Sequence, residues 1–575
     1  MTLPKRPYWA DPIPNDNFTN IPEEYTLKGP YWDVLVGEGL DVTPEGSLTS
    51  PSGSGSGNED AVVAGTWWPA PIGEGLTINE DGQLAAAGSF YIYCTPQFID
   101  QPVEYPPYFC DTEVNTTGVT DFSEAWSNCT GITDFPCVNS ASVTDFSSAW
   151  YNCASLTSFP PINTSSGVNF SYTWRYCESL LSFAVINTHN GENFIGTWAN
   201  CYNLETFPAL DFRNATAFGF EYAYGTWENC ESLVSLPFVN TSKVENMNYA
   251  WAFCYSLTDF PLIDTSSCTE FYAAWRNCNS LTSFPLLDTS SGSDFRNAWR
   301  NCNSLTSFPL LNTSSGSDFS LAWRNCSSLT SFPLLDVSSG TYFGNAWRNC
   351  YDLISFPLLD TSSGTDFGSA WRNCNSLTSF PLLDTSSGTN FEGTWNNCSN
   401  LTSFPPLDVS QGTDFGSAWY GCNSLISFPL LDTSSGTYFG NAWQNCTSLV
   451  EFPQLDVSSG TNFVATWFGC SSLTSFPLLD ISSGIEFGFA WQDCTSMTSF
   501  PAGMFDNCSA TNFNYTWQNC ALSQQSVDNI LVSIDTAGQS SGILEIDGGT
   551  SAAPGAAGLS AKLSLEGKGW TVLTN

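Results

Sequence analysis

Between Cys278 and Trp299 the chain reads Cys-Asn-Ser-Leu-Thr-Ser-Phe-Pro-Leu-Leu-Asp-Thr-Ser-Ser-Gly-Ser-Asp-Phe-Arg-Asn-Ala-Trp, and it repeats nearly the same phrase about seventeen times. Trp299 recurs as Trp126, Trp150, Trp174 and Trp198, then, after a slip of five residues, as Trp227 and every 24 residues to Trp491, with a last copy at Trp517. A unit this short cannot enclose its own apolar side chains, so each copy must stack on its neighbours and the stack is the folding domain. The period therefore predicts a solenoid over residues 119–520, flanked by an N-terminal region, 1–118, and a C-terminal cap, 521–575.

Within the unit two periodicities meet. Phe295, Ala298, Trp299 and Cys302 follow the i, i+3, i+4, i+7 spacing of a buried helical stripe, with Asp294 where an N-cap belongs, which predicts a helix of about two turns. The next stretch, Leu305 to Leu311, reads as a short extended segment with Leu305, Phe308 and Leu310 inward and Ser307, Pro309 and Leu311 outward. Proline recurs at Pro285, Pro309, Pro333 and Pro357, and each removes a donor that a central strand would use. Parallel pairing of only one to three residues per rung is expected.

The order Phe-x-x-Ala-Trp-x-x-Cys-x-x-Leu-x-x-Phe-x-Leu resembles the BspA-type leucine-rich repeats, especially the 26-residue repeats of bacterial surface proteins, in which Met or Phe takes the place of Trp. The likeness runs through all seventeen copies, about 70% of the chain. It implies an α/β repeat solenoid of leucine-rich-repeat type, with short parallel strands on one face and short helices on the other, and a role in surface adhesion rather than catalysis. The sequence departs from that pattern in its Trp, its 24-residue period and its Phe-Pro.

Cysteine usage fits a packed column. Of 22 cysteines, seventeen stand three residues after the repeat tryptophan, from Cys129 to Cys520, where a small hydrophobe packs well. Cys94 and Cys110 lie outside the column and are candidates for a pair. A zinc site would want paired cysteines and histidines, and the one histidine is His189.

Fourteen basic against fifty-five acidic residues give a formal charge of -41, which opposes binding to nucleic acid or anionic membrane. The acids recur in columns. Asp288, Asp360 and Asp384 are the weak candidates for Ca2+, the only cofactor considered; turn and cap hydrogen bonding accounts for them more simply. Paired carboxylates for glycoside hydrolysis, and ice binding by a row of Thr289, Thr361, Thr385 and Thr433, are lesser alternatives. Arg276, Arg300, Arg324, Arg348 and Arg372 are expected to face solvent beside the acids and relieve their repulsion. No catalytic residue is assigned.

The N-terminal region carries its own duplication. Residues 29–48 match residues 65–84 position for position, placing Trp32, Gly37, Gly39 and Leu40 against Trp68, Gly73, Gly75 and Leu76, and each copy predicts a β-hairpin. Residues 49–58, Ser- and Gly-rich, read as a tether. The Gly-Glu-Gly-Leu pattern resembles short modules of tailed-bacteriophage tail-fibre and capsid-fibre proteins, and the eight residues just named become candidates for attachment to a capsid or tail protein. The C-terminal end predicts an αβαβ cap: a helix from Ser523 to Gly538, a strand at 543–546, a second helix near 556–565 and a strand at 570–573. The opening residues show no apolar run of signal-peptide length, and no segment approaches the roughly twenty apolar residues that span a bilayer.

These features point to a non-enzymatic virion surface fibre or appendage, made in host cytoplasm, anchored by its N-terminus and presenting the solenoid to host-surface glycan or protein, as a trimer or as symmetric copies on a particle. The alternatives are a bacterial cell-surface adhesin of the same repeat type and a polysaccharide-degrading enzyme on a solenoid scaffold.

Overall fold

The computed structural model describes residues 116 and 118–575, apart from 136–137, 139 and 221–223, together with the backbone of four short N-terminal strands. Those strands are β1 (Asp41–Val42), β2 (Leu48–Thr49), β3 (Leu76–Ile78) and β4 (Leu84–Ala86). β1 pairs antiparallel with β2 and β3 with β4, with Val42 opposite Leu48 and Ile78 opposite Leu84. The 36-residue offset of the duplicated sequence is thus kept in the pairing.

From Val119 the chain is a repeat solenoid whose rungs are held by backbone hydrogen bonds on two sides. On the first side, the N–H groups of Phe295, Asn297, Trp299 and Asn301 donate to Asp318, Ser320, Ala322 and Arg324 of the following rung at 2.8–3.0 Å. The alternate N–H groups, of Ala298, Arg300 and Cys302, close turns onto Phe295, Asn297 and Trp299. On the second side the direction reverses, and Ser304 and Thr306 donate to Asn279 and Thr282 of the preceding rung. Parallel pairing is reduced to single-residue bridges, of which the column through Asp294 and Asp318 runs from Asp121 to Glu486.

The predicted helix at Asp294–Cys302 does not form. Asn297 and Asn301 have φ of 57° and 65°, so the backbone enters the left-handed region every fourth residue and cannot continue a right-handed helix. The result is three overlapping turns, 295–298, 297–300 and 299–302, of which the first and last carry a positive-φ residue in the third position, where type II turns favour Gly or Asn. Phe295, Ala298, Trp299 and Cys302 are nevertheless all fully buried, because overlapping turns return side chains to one face at the same spacing.

The predicted facing of the extended segment is corrected at one pair. Leu305 and Phe308 point inward, but Leu311 is 2% exposed and Leu310 61% exposed. The inward residues recur every third position, the period of extended polyproline-like chain, rather than every second. Pro309 leads that conformation, and the Leu311 N–H closes a three-residue turn onto the Pro309 carbonyl at 3.0 Å, which turns Leu310 outward.

The core is three stacked aromatic columns: Phe295 stacks on Phe271 and Phe319 at 5.4 Å, and the Trp299 and Phe308 columns meet in a herringbone. Trp299 stacks on Trp275 and Trp323 with centroids 5.5 and 5.6 Å apart and planes within 8°, and such stacking continues from Trp126 to Trp517. Phe308 meets Trp299 and Trp323 edge to face at 4.8 and 5.5 Å and stacks on Phe332 at 6.0 Å. Buried side chains of this size contribute about 1.5–3 kcal/mol each. Against that, the indole N–H groups from Trp150 to Trp517 are buried with no hydrogen-bond acceptor, a cost of about 1–3 kcal/mol apiece that ring packing must exceed.

The last rung holds β5 (Asn512–Phe513), just before Trp517, and after that tryptophan come α1 (Gln524–Ala537), β6 (Ile543–Glu545), α2 (Ala556–Gly567) and β7 (Thr571–Leu573). β5, β6 and β7 form a parallel sheet in that order. The Ser523 hydroxyl accepts from the Ser526 N–H at the start of α1, and Gly538, at φ 76°, ends it. Trp570 stacks on Phe513 at 6.2 Å, so this segment covers the apolar edge of the final rung. Among the described residues no helix is long and apolar enough to cross a membrane.

Candidate binding face

The repeat residues singled out in the sequence are structural. Phe295, Trp299, Cys302 and Leu305 are fully buried and Phe308 nearly so. The Cys302 thiol donates to the Trp275 carbonyl of the preceding rung at 3.3 Å, and the same bond recurs from Cys153 to Cys520. All nineteen described cysteines are buried. Burial pushes up the thiols from Cys177 to Cys520, those of Cys326, Cys422 and Cys470 to about 12.

The acidic candidates are turn builders. In Asp288, Asp360 and Asp384 one carboxylate oxygen accepts from both the N–H and the hydroxyl of the serine two residues on, at 3.1 and 2.6–2.7 Å. For Asp288 and Asp360 that serine hydroxyl holds the carboxyl below its usual range. Among the described residues no three Cys, His, Asp or Glu side chains converge on a metal site. The row of Thr289, Thr361, Thr385 and Thr433 is buried, each hydroxyl donating to the next rung's carbonyl at 2.6 Å, so it offers no surface to ice. Stacked acids are bridged by Arg296, which reaches Asp294 at 2.6 Å and Asp318 at 3.7 Å. Arg300 and Arg348 stand partly buried and donate to Asn297 and Asn345 at 3.3 and 3.1 Å, against the asparagines of the turns rather than out in solvent.

Of the attachment candidates, Trp32, Gly37, Gly39, Leu40, Trp68, Gly73 and Gly75 lie outside the described residues. Leu76 opens β3, where only its backbone is described.

The surface that departs from repetition is the turn face near the five-residue slip. The extra residues fall between Phe218 and Thr226: the Thr226 N–H donates to the Phe218 carbonyl at 2.7 Å, eight positions back, where Ala298 reaches Phe295, three back. Around this insertion Tyr151, Tyr172, Tyr176, Tyr202, Tyr249 and Tyr272 occupy turn positions that later rungs fill mostly with Asn, Ser, Arg, Gln and Gly, with aromatic exceptions at Tyr351, Tyr420, Phe468, Phe489 and Tyr515. Tyr151 meets Tyr176, Tyr172 meets Tyr224, and Tyr249 meets Tyr272 edge to face at 5.2–5.9 Å. At the centre Arg175, 8% exposed, lies 3.5 Å from the Tyr224 ring centroid and 4.6 Å from that of Tyr176, and donates to the Tyr176 hydroxyl at 3.1 Å. Glu228 accepts from the Gly225 N–H at 3.3 Å, and burial pushes its carboxyl up to about 7 against the pull of Arg175 and Arg276.

The residue-by-residue reading missed this cluster because it treated the rungs as equivalent. The signal was present as a contrast between copies: the inward positions hold, while the six rungs from Trp150 to Trp275 each carry tyrosine at a turn position.

No family model and no curated protein sequence matches the chain. Among solved structures it is similar to a leucine-rich repeat protein from Eubacterium ventriosum at 12% identity, covering 64% of this chain and 85% of that one with a TM-score of 0.28. It is also similar to a leucine rich cell surface protein from Faecalibacterium prausnitzii, at 14% identity, 74% and 91% coverage and a TM-score of 0.26. A third similarity is to the functional domain of InlJ from Listeria monocytogenes, which includes a cysteine ladder, at 12% identity, 76% and 74% coverage and a TM-score of 0.20. The stacked rungs of this chain themselves establish the solenoid.

Proposed function

We propose that this chain is a non-enzymatic adhesion protein, a solenoid of the leucine-rich-repeat kind its motif resembles, that binds host-surface glycan or protein through the tyrosine-rich turn face without a cofactor. The observation that carries this is the clustering of Tyr151, Tyr172, Tyr176, Tyr202, Tyr249 and Tyr272 on neighbouring rungs, at turn positions where later rungs carry an aromatic residue only singly, as at Tyr351, Tyr420 and Phe489. Folding does not require tyrosine there. Its ring gives a large, stiff, amphipathic contact area at low entropic cost and stacks on sugar faces and peptide side chains alike. The test is binding of purified protein to host envelopes and to arrayed glycans, with Tyr172, Tyr176 and Tyr202 changed to serine together. Binding should fall at least tenfold with the solenoid still folded; unchanged binding would refute the role of this face.

The finer reading is a tailed-phage virion appendage anchored through residues 1–118. Its support is the Gly-Glu-Gly-Leu duplication and the matched register of the two strand pairs. Cryo-electron microscopy of purified particles tests it. Density for this chain with its N-terminal region seated in a capsid or tail protein is the expected result, whereas its presence in host envelopes alone would identify a bacterial surface adhesin.

A further inference from the structure

Outside the tyrosine face the solenoid has a second surface that the described residues leave uncovered. The outward leucine of each Phe-Pro-Leu-Leu stretch forms a ladder, and Leu262, Leu286, Leu310, Leu334, Leu358 and Leu382 are 57–63% exposed on six successive rungs. Phe238 extends it at one end, and at the other Leu430 follows Pro406 and Leu478 follows Gln454. At roughly 100 Å² of exposed apolar area per side chain, nine such residues with their partly buried prolines make a stripe of about 1,000 Å². Soluble monomers rarely leave more than a few hundred Å² contiguous, and a standard interface takes about 800 Å² per partner.

The flanks of the stripe differ in charge, and this selects an occupant and a direction. In chain order across the face stand Thr282 and Ser283, exposed and uncharged, then Pro285 and Leu286, then the exposed Asp288. The hydroxyl flank is serine in the inner column from Ser283 to Ser427, while the opposite flank carries Asp264, Asp288, Asp336, Asp360, Asp384 and further acids. Two copies can place ladder on ladder by a two-fold axis in only two ways. An axis across the rungs runs the solenoids antiparallel and sets aspartate column against aspartate column. An axis along the solenoid runs them parallel and sets each aspartate column against the other copy's hydroxyl flank, where the threonine hydroxyls already donate to the preceding rung's carbonyls and the exposed serines are the donors that can reach a carboxylate. For a chain of charge -41 the second arrangement is the one that separates the acids.

We propose that two copies of this chain associate through the leucine ladder in parallel, with their Trp126 rungs at one end and their Trp517 rungs at the other, independently of what the tyrosine face binds. The ladder residues are exposed, so replacing them spares the fold. Sedimentation of the full chain at micromolar concentration should give twice the chain mass, and the variant with Leu286, Leu310, Leu334 and Leu358 all changed to serine should sediment as a monomer with an unchanged circular dichroism spectrum. Direction is read with Leu262→Cys and Leu430→Cys, made separately in a background where Cys94, Cys110 and Cys137 are serine. A short bifunctional maleimide should join each variant to itself, because equal rungs face each other only in the parallel pair. A monomeric parent, or a dimer that survives the four serines, overturns the proposal. Cross-linking only between Leu262→Cys and Leu430→Cys copies in a mixture overturns the parallel arrangement.

Discussion

The thiol of Cys302 donates to the carbonyl of Trp275, one rung back, and the same carbonyl accepts the N–H of Cys278 at 3.2 Å. Two rungs are thereby tied at one oxygen inside a dry core. The thiol must stay protonated to make that bond, and burial raises it accordingly. In the folded chain the nineteen described thiols should therefore resist a thiol reagent at pH 8 and react together when denaturant is added.

The same shift has a pH consequence. A thiol whose folded pKa is raised holds its proton when the unfolded chain releases one, so its stabilising contribution is complete below about pH 9 and declines above it. Each thiol adds a slope of up to about 1.4 kcal/mol per pH unit, and the column acts in concert. Thermal unfolding should be nearly constant from pH 7 to 8.5 and fall steeply between pH 9 and 11. A flat profile to pH 11 would show that the thiols ionise in place.

Glu228 contributes in a lower window. Its carboxyl is raised, so the folded chain keeps a proton there that the unfolded chain loses above about pH 4.5, and stability from this group declines as the pH rises toward 7. Glu228→Gln should leave stability unchanged at pH 4.5 and raise it by about 1–2 kcal/mol at pH 8, measured by denaturant titration.

Leu310 and Leu311 are adjacent and chemically identical but face opposite ways. Leu311→Ser should cost about 2–4 kcal/mol and Leu310→Ser no more than about 0.5 kcal/mol in a monomeric background. Comparable losses at both positions would mean that the three-residue turn at Pro309 is absent.

Asn301 combines a left-handed backbone with a ladder of amides, donating to Asn277 and accepting from Asn325 at 2.5 Å. Gly421 and Gly469 fill the equivalent position, both at φ 70°. Asn301→Gly should therefore cost about 1 kcal/mol, the amide bonds alone, and Asn301→Ala about 2 kcal/mol, with backbone strain added. Equal losses would show that the left-handed conformation carries no cost.

The columns of Trp, Cys, Leu and Phe could be read from spacing, since a strict period leaves few ways to bury the same side chain repeatedly. The backbone that carries them could not be read so directly. An i, i+3, i+4, i+7 stripe is satisfied by a helix and by overlapping turns, and the feature that separates the two is Asn at 297 and 301, a residue tolerant of the left-handed region. Leu310 was misplaced because a two-residue period was carried through Pro309, which imposes three. The tyrosine cluster escaped for the opposite reason: it is defined by what differs between copies, whereas the search for a fold attends to what they share.

The rungs also bear on inheritance. Because the Trp, Cys and Phe columns meet their neighbours with nearly the same geometry throughout, a coding segment of 24 residues can be lost or gained by recombination between copies without a new kind of contact being needed. Each such event lengthens or shortens the molecule by about 4.8 Å, the spacing of paired strands. The tyrosine face and the C-terminal cap, which occur once, would ride through these changes intact, so length can change while both are kept.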